Sequence, residues 1–176
     1  MSQARELIYE LYERSFIELF EDFDFKVSRV PSDIKTVNRC FVVSIDAGSS
    51  DIELVIYLYV TTTMLAFTHP EKEDVLEVDE KKLEDWAMEL SNQLMGRLKN
   101  KLLSYDCTLQ MGLPDSHFDE SSEKLLKENA EFSEWVFMIE DEMVGSQLSV
   151  NMINSIDLVK QEESGDDVDT GELEFF

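Results

Sequence analysis

The sequence predicts an α+β domain in which long helices pack on an antiparallel sheet. Three observations carry that prediction. Apolar residues recur at helical spacing over residues 4–22 and again over 80–103. Runs rich in β-branched and aromatic residues come in neighbouring pairs with short polar turns between them, as hairpins do. The order is helix, strands, helix, strands, with no strict short-period repeat, which leaves room for two related halves.

In chain order, the first helix is marked by Leu7, Ile8, Leu11, Tyr12, Ile17 and Phe20. "FKVSRV" reads as a short strand ended by Pro31 and Ser32. "RCFVVSIDAG" and "DIELVIYLYV" read as a hairpin, joined through Gly48, Ser49, Ser50 and Asp51. "TTTMLAF" suits a short helix stopped by Pro70, and "EKEDVLEVDEKK" a charged connector before the long helix. "DCTLQMGLP" reads as a strand closed by Pro114. "DSHFDESSEKLLKENAEF" reads as a polar loop with room for one short helix. "EWVFMIEDEMVGSQLSVNMI" reads as a second hairpin turning between Glu142 and Gly145.

Composition narrows the function classes. A 176-residue chain with 43% hydrophobic residues suits one domain with a real core. We assign residues 1–156 to that domain and 157–176 to an acidic tail, "DLVKQEESGDDVDTGELEFF", in which Lys160 stands alone against eight acids. The formal net charge of -24 opposes binding to nucleic acid or to an acidic membrane surface, and its simplest meaning is solubility. No run reaches the length of a membrane span, and the N-terminus lacks a signal-peptide layout. Two cysteines, Cys40 and Cys107, make no disulfide framework, so the expected location is cytoplasmic with both thiols reduced in the core.

The long helix raises the functional question. With Leu83 at zero and about 100° per residue, Leu83, Trp86, Ala87, Leu90, Leu94 and Leu98 form a core stripe. Asp85, Glu89, Asn92 and Gly96 fall together on the opposite side, in an arc of about 60°. Interior Gly costs about 1 kcal/mol relative to Ala, and Asn is only a fair helix former. On the helix alone, a mixed polar face without a special role is the simpler account. Glycine there also lets a partner approach the backbone closely.

Pro114 changes the weighting. The pattern Asp85-x3-Glu89-x2-Asn92-x21-Pro114 resembles the signature of the chemotaxis phosphatases CheC, CheX and FliY: Asp or Ser, x3, Glu, x2, Asn, x21, Pro. A chance match is expected in roughly one chain in several hundred of this length. "NQLMGRLKNKL", with Gly96 and Lys99, also resembles the family's run after the asparagine. A single signature makes the chain CheX-like rather than CheC-like. The chain departs from the family after Pro114, where "DSHFDESSEK" replaces apolar residues and a glycine, and in its acidic tail.

The resemblance implies a CheX/CheC-like α+β fold and hydrolysis of the aspartyl phosphate on a CheY-like receiver domain. It makes Glu89 and Asn92 the catalytic pair. Asn92 positions the attacking water, and Glu89 docks the lysine that such receivers carry beside the phosphoaspartate. Asp85 and Gly96 become partner-binding positions, and Pro114 a structural one. The phosphorylated receiver brings its own Mg²⁺, so this chain needs no cofactor. A homodimer is implied too, for which "EWVFMIEDEMVGSQLSVNMI" is the candidate pairing edge. The alternative is a non-catalytic receiver-binding or switch-complex module of the same fold. An oligomerising structural domain, a third class, would need neither Glu89 nor Asn92.

Other candidates are weaker. His69 and His117 have no partners at metal-ligand spacing and read as surface histidines. Tyr9, Tyr12, Phe16, Phe20, Trp86 and Trp135 read as core, and no glycine-rich phosphate loop is present.

Overall fold

The computed structural model describes residues 3–31, 40–70, 79–118 and 132–161. The first helix, α1 (Gln3–Glu21), buries Ala4, Ile8, Tyr12, Phe16, Leu19 and Phe20, a stripe that advances in steps of three and four. A short strand β1 (Val27–Val30) follows, then the hairpin of β2 (Cys40–Gly48) and β3 (Ile52–Thr61). That hairpin closes where Ser49 N–H donates to the Ile52 carbonyl at 2.8 Å. The short helix α2 (Thr62–Thr68) is capped by Thr61, whose hydroxyl accepts from Met64 N–H, and ends at His69 before Pro70. The long helix α3 (Glu80–Leu103) leads to β4 (Gln110–Met111), β5 (Asp115–Phe118), β6 (Phe132–Ile139) and β7 (Glu142–Met152).

All pairings are antiparallel, in the order β1-β6-β7-β3-β2-β4, with β5 also on β2. Alternation along the strands sends one face to the helices. Phe41, Val43, Ile45 and Ala47 of β2, Ile52 to Val60 at every second position of β3, and Trp135, Phe137 and Ile139 of β6 are all buried. Phe16 of α1 stacks on Phe137 with ring centroids 4.0 Å apart. Tyr12 reaches Ser146 of β7 with its hydroxyl. The Ser146 hydroxyl itself donates to the Tyr57 carbonyl at 3.0 Å, so Tyr12 is the donor in that contact. α1 and α3 lie side by side on this face, tied by Lys101–Glu18 at 2.6 Å and by Arg97–Asp22. No helix among the described residues is long and apolar enough to cross a membrane.

The helices expected over residues 4–22, 61–67 and 80–103 and the first hairpin are present, and several expectations are corrected. The β6–β7 turn falls at Glu140–Asp141, with Glu140 in the left-handed region (φ 52°), not between Glu142 and Gly145. Gly145 is a mid-strand residue whose missing side chain makes room for the Tyr59 ring; an added Cβ would lie 3.4 Å from the Tyr59 Cβ. That hairpin is also largely interior to the sheet rather than an edge along its whole length. β6 lies between β1 and β7, and β7 between β6 and β3; β1 covers only Val136–Ile139 of β6, so among the described residues the first half of β6, Phe132–Trp135, is the one stretch of that strand paired on a single side. The edges among the described strands are β1 and the β4–β5 side.

β5 replaces the start of the expected polar loop, because Ser44, Val42 and Phe41 offer it a free ladder. The rest of that loop, residues 119–131, lies outside the described residues, as do 71–78 of the charged connector. His69 is buried rather than surface-exposed, its ring edge-on to Trp86 with centroids 5.7 Å apart. His117 sits in β5 with Nε2 3.3 Å from the Ser44 hydroxyl. Cys107 is buried, but in the turn after α3 rather than in a strand; Cys40 opens β2, half-buried. Residues 157–161, assigned from sequence to the tail, run along the body. Ile156 and Leu158 pack against the core, and Gln161 N–H donates to the Ser104 carbonyl at the end of α3 at 2.9 Å.

Candidate functional site

The site is one face of α3. Asp79 caps the helix, accepting from Lys82 N–H at 2.8 Å, and the sequence then runs to Leu103 without Pro. Ala87, Leu90, Ser91, Leu94, Met95, Leu98 and Leu102 are buried against the sheet and α1. One flank of α3 is held by α1 through Arg97 and Lys101. The other is held by β5, where the Ser116 hydroxyl donates to the Glu84 carboxylate and holds it below the usual carboxylate range. What these contacts leave uncovered is the row predicted from sequence: Asp85 and Glu89 are exposed, and Asn92 and Gly96 half-buried.

Each member has a distinct setting. Gln93 Nε2 donates to Glu89 Oε1 at 3.0 Å, which steadies the carboxylate one turn from Asn92 and leaves its second oxygen for a partner. Asn92 makes no side-chain hydrogen bond among the described residues, so both ends of its amide are available. Asp85 is bound to Lys81 at 2.9 Å and is the more satisfied of the two acids. Lys81 is correspondingly pushed above the usual lysine value by its hydrogen bond to Asp85. A Cβ built on Gly96 meets nothing within 4 Å, so the glycine opens a gap in the face that the fold itself does not fill.

Pro114 lies off the helix, in the connection from β4 to β5. Its fixed distance in sequence has a geometric meaning. From Asn92 the helix descends to Leu102, whose carbonyl accepts from Cys107 N–H at 3.1 Å. The chain then climbs back beside α3 at about 3.3 Å per residue against 1.5 Å for the helix, so six extended residues undo about thirteen helical ones. That count brings residues 113 and 114 level with Glu89 and Asn92 along the axis of α3, and the Ser116–Glu84 contact ties this stretch to the same helix. Leu113, which sequence reading passed over, is 89% exposed there. Gln93 was also passed over, although its i,i+4 spacing from Glu89 was a readable signal.

Nothing else among the described residues rivals this face. No group of three or more His, Cys, Asp or Glu is placed to hold a metal. A cavity of about 430 Å³ between α1 and β6, lined by Glu6, Glu10, Glu13, Glu134 and Trp135, has Glu13 engaged by Arg29 at 2.7 Å and by Trp135 Nε1 at 3.1 Å.

No family model and no curated protein matches the chain. Solved structures do. The chemotaxis protein CheX from Vibrio vulnificus matches with a TM-score of 0.68 at 10% identity, over 85% of this chain and 100% of that one. CheX in a CheX–CheY–BeF3–Mg complex from Borrelia burgdorferi matches with a TM-score of 0.58 at 13% identity, over 80% of this chain and 97% of that one. The FliM middle domain from H. pylori matches with a TM-score of 0.56 at 9% identity, over 85% of this chain and 92% of that one. The chain has the α+β fold of CheX and the CheC-like proteins.

Proposed function

We propose that this protein is a phosphatase that hydrolyses the aspartyl phosphate of a CheY-like receiver domain. The observation that carries the reading is the pairing of Glu89, steadied by Gln93, with an Asn92 amide that has no hydrogen-bond partner among the described residues, on the face of α3 that those residues leave open. The match to a CheX solved together with CheY supports the choice of partner.

In this reading the receiver contributes the phosphoaspartate and Mg²⁺, and this chain contributes position. The Asn92 amide oxygen accepts a hydrogen bond from the water that attacks phosphorus, and its NH₂ donates to a phosphoryl oxygen. A bond forms between the water oxygen and phosphorus as the bond to the aspartyl oxygen breaks, releasing inorganic phosphate and a free carboxylate. A carboxylate at position 92 would repel the phosphoryl group. Glu89 pairs with the receiver lysine and fixes the register. Asp85, with Lys81, rims the contact, Gly96 admits the receiver backbone, and Pro114 sets the turn that returns the chain beside Asn92. The protein acts as a homodimer in the cytoplasm.

The test mixes the protein with a panel of phosphorylated receivers from the same organism and follows decay of each phosphoaspartate. One receiver is expected to decay faster, and Asn92→Ala to remove about 10²-fold or more of that acceleration with binding retained. The FliM likeness favours one rival, a receiver-binding switch module without catalysis. On that rival, wild type binds receivers, accelerates none, and Asn92→Ala changes nothing.

A further inference from the structure

Beside the polar pair, the same side of the molecule carries aliphatic side chains that the fold does not use. Leu113 is 89% exposed, more than any other large apolar residue among those described. Leu103, 46% exposed, falls in the row of Asp85 and Asn92, about two turns beyond Gly96.

A single exposed leucine is ordinary. Three features set Leu113 apart. The first is position: the descent of α3 and the climb of β4 set it level with Glu89 and Asn92 along the helix axis, and Ser116, three residues on, touches Glu84 of the same helix. The second is stiffness. Gly112 N–H donates to the Asp46 carbonyl at 2.9 Å on one side, Pro114 fixes the backbone on the other, and β5 pairs with β2 directly afterwards. Presenting Leu113 to a partner therefore costs little backbone entropy. The third is contrast: the surrounding surface is acid-rich, and Glu84, Asp85 and Glu89 define the N-terminal half of the face.

We propose that Leu113, with Leu103 as its outlying second contact, is a docking and specificity residue for the receiver domain that this face engages. The inference rests on the receiver reading above and adds the chemistry the partner must supply: an apolar side chain opposite Leu113, beside the cation that meets Glu89. The partner is a protein surface, since a small phosphoester would reach Asn92 without touching Leu113. Leu113 is a positioning residue that acts through the fit of the complex. Its effect therefore belongs in affinity and KM, whereas that of Asn92 belongs in kcat.

The test measures affinity for beryllofluoride–Mg²⁺-activated receivers across the panel, together with phosphoaspartate decay at varied receiver concentration. The variants are Leu113→Ser, Leu113→Met and Asn92→Ala. Leu113→Ser is expected to weaken affinity and raise KM about tenfold, with kcat within about twofold. Leu113→Met restores most of the affinity, because an aliphatic surface of similar volume is kept. Asn92→Ala gives the opposite split. If wild type binds receivers without hydrolysing their phosphate, the phosphatase reading fails while the affinity series still decides on Leu113. Wild-type affinity in Leu113→Ser overturns the inference, as does a wild type that binds no receiver in the panel. A cover supplied by residues 162–176 or by a second copy would change the melting temperature or the oligomeric state of Leu113→Ser and leave receiver affinity alone, which also overturns it.

Discussion

Glu89 and Tyr12 show how differently single residues are constrained here. Glu89 is exposed and costs the fold little to change, so Glu89→Lys is expected to keep the melting temperature while weakening both receiver binding and its salt dependence. Unchanged affinity across a salt series would remove Glu89 from the docking register. Tyr12 is fully buried, and burial pushes its hydroxyl far above the ordinary tyrosine value. Because Ser146 keeps its bond to the Tyr57 carbonyl, Tyr12→Phe deletes a donor without stranding an acceptor's partner. The expected loss is about 0.5–1.5 kcal/mol in urea melts. Residues of the first kind were legible from sequence, because the Asp85–Glu89–Asn92–Gly96 row is a matter of helical phase and spacing. His69 was not. Its burial depends on Trp86 arriving from another helix, and local sequence carries no trace of that.

At the scale of elements, α3 was readable nearly to its ends, because a capping Asp79 and an unbroken apolar period lie wholly within it. β5 was missed because "DSHF" has no strand signal of its own and is defined by the ladder that β2 offers. Gly96 gives the sharpest element-scale prediction. In open space within a helix, Gly96→Ala is expected to stabilise the protein by about 0.5–1 kcal/mol and yet to raise the KM for the receiver, since the methyl fills the gap at the docking face. Greater stability with unchanged KM would make the glycine incidental.

The α1–α3 pair adds a pH dependence. The Glu18 carboxyl is held below its usual value by the hydrogen bond from Lys101, with help from Arg14. Its stabilising share is therefore complete above the ordinary carboxylate pKa and disappears as pH falls through the lowered folded value. Glu18→Gln is expected to flatten the acid limb of a stability–pH curve and to leave the curve above neutrality parallel to wild type.

For the whole molecule, the architecture was predictable as a class and the pairing order was not. Hairpins announce themselves through turn residues, but which hairpin occupies the middle of a sheet is settled by long-range packing. The homodimer expected from the resemblance has little of the β6–β7 hairpin to pair on, since β1 and β3 cover its flanks except along Phe132–Trp135 of β6 and the ends of β7. Light scattering at micromolar concentration is expected to give twice the chain mass, and a monomer would dismiss the dimer. The C-terminal boundary is testable by two truncations. Ending the chain after Gln161 is expected to change stability by less than about 0.5 kcal/mol. Ending it after Ser155 removes the apolar contacts of Ile156 and Leu158 and is expected to cost about 2 kcal/mol or more.

The central place of β7 also has a consequence in time. Ile56 of β3 sits opposite Leu148, so half of the sheet's middle comes from the last of the described strands in chain order. Until β6 and β7 have both emerged, β3 presents an open ladder and α1 lacks a docked Phe137 to stack upon. Pairings this distant in sequence make for slow folding, and a long-lived half-sheet is prone to self-association. The excess of acidic over basic residues along the chain keeps such half-finished chains apart. Refolding from urea is therefore expected to be slow, with a yield that falls as added salt screens the mutual repulsion.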